Sequence, residues 1–286
     1  MATTKKTVVR RKTVSPKKKT TKRAAVNRSA SSSVAANAFG TRINRFESIP
    51  VAALLAELLG TFVLTAIVIQ TKGQAVIVMF ALASIVLTIG HLSGAHVNPA
   101  ITFGAWVTRK IAAWRAVGYM VAQVLGALLA FTVLTWMIGG SPAEQNPYTG
   151  QAAAAELFKA QDLIKGKEWY AFAAELLGLS LFGFAVASAI REKKEHFAAA
   201  FTVGSGLFVA LLIAGSSAIL NPAVATALQV FTEEAAKNKD AMMMLPQFKD
   251  TFGWALAVYV VAPFIGSAIG FLLYDLLRRD TDSSTK

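Results

Sequence analysis

The tripeptide Asn-Pro-Ala occurs twice within apolar sequence, and its residue types favour both a helix start and a hydrogen-bonding site. The two copies comprise Asn98, Pro99, Ala100, Asn221, Pro222 and Ala223. Asparagine is a preferred cap before the first helical turn, and proline in that turn loses no hydrogen bond, so we predict short helices over 98–108 and 221–231. A helix N-terminus carries about half a positive charge, and each asparagine amide adds donors. Two helix N-termini that face each other repel cations and favour a neutral, hydrogen-bonding solute.

Three other polar side chains lie in or beside apolar sequence. A carboxylate within a membrane helix is costly and is normally paired or functional, so Glu57 and Glu175 are candidates for an architectural role or for a proton relay. No intramembrane histidine, lysine or arginine in the sequence would continue such a relay, which favours the architectural role. His96 lies two residues before Asn98 at the predicted cytoplasmic entrance. We predict a packed structural role for it or gating by protonation, because histidine titrates near neutral pH.

Enzyme chemistry is not indicated. No nucleophile–base pair and no cluster with metal-ligand spacing emerges from the sequence, and cysteine is absent. We therefore predict no catalytic residue, no metal site, no cofactor and no enzyme activity.

The composition and length of the apolar segments around these residues predict an all-α membrane protein. Hydrophobic residues make up 55% of the 286 residues and charged residues 16%, against about 25% charged in a soluble domain. Spanning a bilayer takes about 20 apolar residues. Six segments are long enough: 51–70, 75–93, 112–139, 169–190, 197–215 and 251–276. The two Asn-Pro-Ala helices are too short to cross and are predicted to be re-entrant half-helices.

Charge predicts the orientation of the six spans. Residues 1–50 hold thirteen Lys and Arg and a single Glu, and we predict a disordered, basic cytoplasmic tail over residues 1–46. Contact of this tail with anionic lipid or nucleic acid is an alternative, as is an organellar transit peptide. The positive-inside rule places the basic connectors and both termini in the cytoplasm. The loops 140–168 and 232–250 then lie outside.

Three pairs of sequence landmarks recur in the same order and indicate an internal repeat. They are AELLG at 56–60 and 174–178, Asn-Pro-Ala at 98–100 and 221–223, and YMVAQVLGALLAF at 119–131 with YVVAPFIGSAIGF at 259–271. Repeat one covers about residues 50–140 and repeat two about residues 168–276. Each repeat contains three spans, an odd number, so the two copies must be inverted in the membrane. Inverted repeats with interrupted helices predict a substrate path at the repeat interface.

With these features, the sequence resembles the aquaporin or major intrinsic protein family. The segment GHLSGAHVNPAIT (90–102) is similar to the first family signature, and AELLG and PFIGSAIGFLLYD (263–275) are similar to further landmarks. The resemblance implies a channel domain over residues 47–278, followed by a short tail at 279–286. It implies a right-handed bundle of six helices and two half-helices, one pore per protomer and usually a homotetramer. It also implies that Glu57 and Glu175 brace the re-entrant loops.

The sequence departs from the family at the predicted constriction of the pore. Where the family usually has an arginine after the second Asn-Pro-Ala, this chain has Val224. A gap-free alignment gives four constriction residues, Val78, Val209, Ala218 and Val224. A wide aliphatic ring would admit glycerol or urea, whereas a narrow one would favour ammonia or dissolved gases. Alternatively, another side chain reaches into the mouth, with Gln229, Lys237 and Lys239 as candidates.

The segment 233–250 is longer than we expect after the second half-helix. Its run of three methionines, residues 242–244, predicts a segment that folds over the pore mouth or packs on a neighbouring protomer. Metal capture by the thioethers is the alternative.

We predict a passive channel for water or small neutral solutes such as glycerol, urea, ammonia or gases, embedded in lipid of the plasma membrane. Three alternatives stay open. They are a non-conducting structural membrane protein, a coupled secondary transporter, and a protein whose basic tail carries the main function with the membrane domain as an anchor.

Overall fold

The computed structural model of the protein describes residues 50–139, 144–145, 152–153, 157–161, 163–215, 218–228, 230 and 252–284. Its helices are α1 Val51–Gln70, α2 Ala75–Ser93, α3 Pro99–Val107, α4 Ala113–Gly139, α5 Glu168–Arg191, α6 His196–Ala214, α7 Pro222–Ala227 and α8 Ala262–Ser284. The predicted tail at 1–46 and the insert at 233–250, with Lys237, Lys239 and the three methionines, lie outside the described residues, as does Gln229. Their predicted roles remain predictions.

Among the described residues, six helices are long and apolar enough to cross a membrane, which confirms the predicted all-α membrane fold. They begin and end close to the predicted segments and have mean hydropathies between 1.8 and 2.4. The sixth candidate span, Phe252–Asp280, contains a π-helical turn, Ala257–Val261, before α8. Within the described part of the chain, strand structure is confined to β1 (Glu144–Gln145) and β2 (Ala152–Ala153), which pair antiparallel.

Local signals explain most helix ends, and two ends differ from the prediction. Glu195 begins α6 because its carboxylate accepts the backbone N–H groups of the first turn. The second half-helix, α7, ends at Ala227 rather than at residue 231. The last helix continues through residues 279–284, which the sequence assigned to a tail. Arg278, the last residue before this extension, lies 3.3 Å from the carboxylate of Glu192, so an ion pair supports the helix beyond its apolar part.

The inverted repeat is visible in how the helices cross. In repeat one, α1 packs on α4, and a Cβ atom on Gly126 would collide with the carbonyl oxygen of Leu58. In repeat two, α5 packs on α8, and a Cβ atom on Gly266 would collide with the carbonyl oxygen of Leu176. Leu58 and Leu176 occupy the same position of the two AELLG copies. Glycine is required at both crossings because nothing larger than hydrogen fits.

Each half-helix packs against the last span of the other repeat. The half-helix α3 contacts α8, and α7 contacts α4, while α2 and α6 join the two halves of the bundle. This exchange brings the N-termini of α3 and α7 together in the interior. We name the two sides of the bundle for reference: the Lys72 side, where α1 ends and α2 begins, and the His196 side, where α5 ends and α6 begins.

Candidate functional site

The two Asn-Pro-Ala motifs meet through a reciprocal pair of hydrogen bonds. The side-chain Nδ2 of Asn98 donates to the carbonyl oxygen of Leu220 at 2.7 Å, and Nδ2 of Asn221 donates to the carbonyl oxygen of Val97 at 2.9 Å. Each asparagine also caps its own helix, since Asn98 Oδ1 accepts from Ala100 N and Asn221 Oδ1 accepts from Ala223 N. An amide nitrogen has two hydrogens. Each motif therefore retains one N–H for a solute.

The residue before each asparagine has a left-handed backbone. Val97 has φ of 41° and Leu220 has φ of 56°, and both are completely buried. Such φ values are uncommon for bulky residues and cost about 1–3 kcal/mol each. Both carbonyl groups accept the hydrogen bonds across the joint, so the strained turns belong to the same structure that aligns the two asparagines.

Glu57 holds the first re-entrant loop. It is completely buried, and its Oε1 accepts from His96 N at 2.9 Å while its Oε2 accepts from Val97 N at 2.7 Å. Gln123 of α4 donates a third bond to Oε2 at 2.7 Å and also donates to Thr102 Oγ1 at 2.9 Å. Glu57 therefore accepts bonds on both of its oxygens.

Glu175 occupies the equivalent position at the second loop. Its Oε1 accepts from Ile219 N at 2.6 Å and from Leu220 N at 3.2 Å, and its Oε2 accepts from Leu220 N at 3.0 Å. The side chain is 1% exposed. Ile219 N thus bonds to one carboxylate oxygen, whereas Leu220 N is shared between the two, with its shorter bond to Oε2.

The ring of His96 is fixed by two side chains. Its Nδ1 lies 3.2 Å from Thr102 Oγ1, and its ring packs edge-on against Tyr119 with ring centres 5.5 Å apart. Tyr119 is itself anchored, because its hydroxyl donates to the carbonyl oxygen of Ser93. Nε2 makes no hydrogen bond within the described residues, and His96 lines interior space. His96 therefore lies deep in the bundle rather than at its surface.

A cavity of about 240 Å³ extends from the two asparagines toward the Lys72 side. Three of the four predicted constriction residues, Val78, Ala218 and Val224, line it. The fourth assignment, Val209, is wrong, because its side chain is 47% exposed on the outer surface of the bundle. Leu207 and Leu211 of α6 line the cavity instead. A shift of two residues rotates a helical side chain by about 200°, so a small alignment error moved the prediction to the opposite face.

A second cavity, of about 150 Å³, extends from His96 toward the His196 side. Its walls come mainly from α2, α5 and α6 and from the loop before α3. The lining consists of Val86, Gly90, Gly94, Ala95, His96, Ile101, Phe182, Val186, Ala189, Ile190, His196, Ala199 and Val203. The two cavities are neighbours because His96 and Phe182 line both, and the joined asparagines line the one on the Lys72 side. We refer to the two cavities together as the path.

The chemistry of this path is that of neutral hydrogen bonding. Among the described residues, no aspartate or glutamate lines either cavity, and no group of three or more His, Cys, Asp or Glu side chains is placed to hold a metal ion. A cation would find no carboxylate to replace its hydration shell, and Lys72 at the cavity mouth would repel it. A neutral solute would find the asparagine N–H groups and His96.

One family of known proteins matches most of this chain. The family model described as major intrinsic protein matches residues 25–274. The chain belongs to the major intrinsic protein family. It shares this family with a rice protein, Aquaporin NIP1-4, which is 31% identical over 80% of this chain and 78% of the rice protein.

Two further major intrinsic proteins show the breadth of the similarity. The Glycerol uptake facilitator protein-like 6 of Lactiplantibacillus plantarum is 31% identical over 75% of this chain and 93% of its own length. Bovine Aquaporin-1 is 28% identical, and the match covers 69% of this chain and 64% of the bovine protein. The solved aquaglyceroporin structure from Plasmodium falciparum superimposes with a TM-score of 0.60 at 21% identity, over 79% of this chain and 95% of that chain. This structural likeness concerns the fold.

This major intrinsic protein also has cavity-lining residues that sequence reasoning missed. Phe158, Ala160 and Gln161 come from the connection before α5, which docks through a hydrogen bond from Ala160 N to the carbonyl oxygen of Leu228 at 3.2 Å. No sequence pattern marks them, because their place depends on how the connection folds back. Phe182 was also missed, although a signal existed. It follows Glu175 by seven residues, as the cavity-lining Leu64 follows Glu57.

Proposed function

We propose that this protein is a passive channel that conducts small neutral solutes and excludes ions. The observation that carries the proposal is the reciprocal joint, in which Asn98 bonds to Leu220 and Asn221 bonds to Val97 in the middle of the path. The joint presents two N–H donors where no carboxylate among the described lining residues offers a site to a cation. A neutral solute with an oxygen acceptor is therefore favoured over any cation.

The aliphatic lining on the Lys72 side supports a preference for solutes larger and less polar than water. Val78, Leu207, Leu211 and Val224 offer no hydrogen bonds to replace those that a stripped solute has lost. The cavity of about 240 Å³ is also far larger than one water needs, roughly 15 Å³. Of the two alternatives for an aliphatic constriction, we propose the wide one. We propose glycerol and urea as the main solutes, ahead of ammonia and gases.

The two glutamates have a positioning role in this proposal. Glu57 and Glu175 hold the re-entrant loops through backbone N–H groups, so that the asparagines meet in a fixed geometry. Lipid cannot satisfy free backbone groups in such loops. We propose bracing rather than proton relay for both carboxylates.

Orientation and assembly are part of the same proposal. The basic residues that follow α3 and α5 lie on the His196 side, and the positive-inside rule makes this side cytoplasmic. We place the chain in the plasma membrane with both termini inside, and we propose the homotetramer that the family resemblance implies. Mass determination of the purified protein in detergent, by light scattering with correction for bound detergent, tests the tetramer.

Stopped-flow light scattering on proteoliposomes tests the function. The wild type is challenged separately with sucrose, glycerol, urea and an ammonium gradient, alongside Val224→Arg. We expect rapid glycerol and urea flux in the wild type and a strong reduction by the arginine, which fills the aliphatic cavity. Val224→Ala and Val209→Ala form a matched pair, because only the first residue lines the cavity. We expect Val209→Ala to behave as the wild type.

Each alternative function gives a different result in this assay. Bare-lipid rates for every solute would favour the non-conducting structural protein. Saturable uptake that depends on an ion gradient would favour a coupled transporter. Fast water flux with glycerol excluded would overturn the proposed solute preference while leaving a channel.

A further inference from the structure

Two side chains border both cavities of the proposed channel. The cavity on the Lys72 side and the cavity on the His196 side have separate linings, and among the described residues His96 and Phe182 belong to both. A solute that passes from one cavity to the other must therefore pass His96 and Phe182. We call this pair the dividing layer.

On each helix beside the dividing layer, residues one turn apart line different cavities. On α2, Leu82 lines the first cavity and Val86 the second. On α6, Leu207 lines the first cavity and Val203 the second. The walls of the layer are therefore aliphatic, and His96 is its polar group.

Close helix crossings keep these walls from moving outward. A Cβ atom on Gly206 would collide with Ala185 and would lie 3.8 Å from Cδ2 of Phe182. A Cβ atom on Gly204 would lie 2.7 Å from the carbonyl oxygen of Met79. The helix α6 is thus pressed onto both α5 and α2 beside the layer. Because the interior is close-packed, the phenylalanine ring cannot move outward, and its volume reduces the space open to a solute.

The internal repeat shows that the aromatic ring is specific to one half of the molecule. Phe182 follows Glu175 by seven residues, and Leu64 follows Glu57 by seven residues. His96 precedes Asn98 by two residues, and Ile219 precedes Asn221 by two. All four residues line the cavity on the Lys72 side. The pair equivalent to His96 and Phe182 is Ile219 and Leu64, which are both aliphatic. The imidazole and the aromatic ring therefore have no counterpart in the symmetry-related pair.

We propose that Phe182 and His96 form the size-selective constriction of this channel, and that Val224 is not its narrowest point. The inference rests on the proposed channel function and assigns the residue that limits solute size. Phe182 sets the largest cross-section that passes, and the free Nε2 of His96 supplies one hydrogen bond at that point. Neutral polyols with more carbons than glycerol are the class of solute that Phe182 excludes.

Permeability of proteoliposomes to water, urea, glycerol and erythritol tests the size limit. Phe182→Leu gives repeat two the residue of repeat one, and Phe184→Leu makes the same change two residues along α5. Phe184 is a matched control because its ring packs against Tyr274 and lines neither cavity. We expect Phe182→Leu to raise the ratio of erythritol to water permeability about tenfold, equivalent to about 1.4 kcal/mol of barrier. Phe184→Leu should leave the ratio unchanged.

The outcomes separate this inference from the proposed function. An unchanged ratio in Phe182→Leu beside a conducting wild type overturns the inference and leaves the channel intact. If the wild type shows bare-lipid rates, the proposed function fails. In that case, flux that appears in Phe182→Leu supports the constriction, and continued absence of flux overturns it. Should Phe182→Leu fail to reconstitute, Phe182→Met, which conserves more volume, must change the ratio in the same direction.

Discussion

Asn98 donates a hydrogen bond of 2.7 Å to the carbonyl oxygen of Leu220, which lies 122 residues further along the chain. The mirror contact joins Asn221 to Val97 at 2.9 Å. Each re-entrant loop is therefore held by the asparagine of the other repeat. Neither repeat can form the centre of the path without its partner, so the two halves of the molecule should be energetically coupled at this point.

Substitution of the two asparagines tests this coupling. Asn98→Ala and Asn221→Ala each leave a buried carbonyl unpaired, at a cost of about 1–3 kcal/mol. The double variant should cost less than the sum by about 0.5 kcal/mol or more, because the first substitution already loosens the joint. Unfolding in mixed detergent micelles measures the three free energies. Thr88→Ala, at an exposed position, serves as the control, and strictly additive costs would contradict the coupling.

The two buried glutamates should respond differently to removal of their charge. In Glu57→Gln the new amide group must face a donor, since Glu57 accepts on both oxygens from His96 N, Val97 N and Gln123 Nε2. In Glu175→Gln one carbonyl oxygen can still accept from both loop donors, as Oε1 does, and only the bond from Leu220 N to Oε2 is lost. We expect Glu57→Gln to lose about 1–3 kcal/mol more stability than Glu175→Gln. Equal losses in a detergent thermal-unfolding assay would argue against this hydrogen-bond pattern.

Because the two glycine crossings are equivalent, we expect a Gly→Ala substitution to lower stability equally in the two repeats. Gly126→Ala and Gly266→Ala each press a methyl group on a backbone carbonyl, which no rotamer change relieves. We expect each to cost about 1–3 kcal/mol. Gly253→Ala is the matched control, because no neighbouring atom of the described residues lies within 4 Å of a Cβ placed there, and it should be neutral or slightly stabilising. A large loss in the control would show that the assay reports something other than packing.

Removal of residues 2–46 should leave solute flux per protein unchanged. The prediction follows from the path, whose described lining begins at Leu64 and includes no residue of that segment. Stopped-flow rates, normalised to the amount of reconstituted protein, provide the measurement. A change in binding to anionic vesicles without a change in flux would agree with a tail that contacts lipid. Loss of flux in a folded, truncated protein would contradict the predicted domain boundary.

The orientation can be measured directly because the chain contains no cysteine. Lys193→Cys lies on the His196 side, between α5 and α6, and Lys165→Cys lies on the Lys72 side before α5. A membrane-impermeant maleimide applied to intact cells should label Lys165→Cys and spare Lys193→Cys. Permeabilised cells should show labelling of both variants. The reverse pattern would place the termini outside.

Much of this molecule is readable from the chain because the signals are local. Hydropathy over about 20 residues marks a span, and the Asn-Pro pair marks a helix start wherever it stands. The six spans, the starts of α3 and α7 and the inverted repeat follow from such signals, and so does the family. The buried glutamates also stood out, since a charge within an apolar run is conspicuous without any knowledge of its neighbours.

The path itself depends on helix rotation and on contacts between distant segments, which no local pattern encodes. Val209 and Leu207 differ by two positions, yet one is exposed and the other lines the cavity. Counting residues along an alignment cannot resolve a rotation of about 200°. The docking of Gln161 at the mouth and the position of Phe182 between two cavities likewise arise only when the repeats pack together. The sequence determines which side chains are present, but packing determines which face of each helix lines the path.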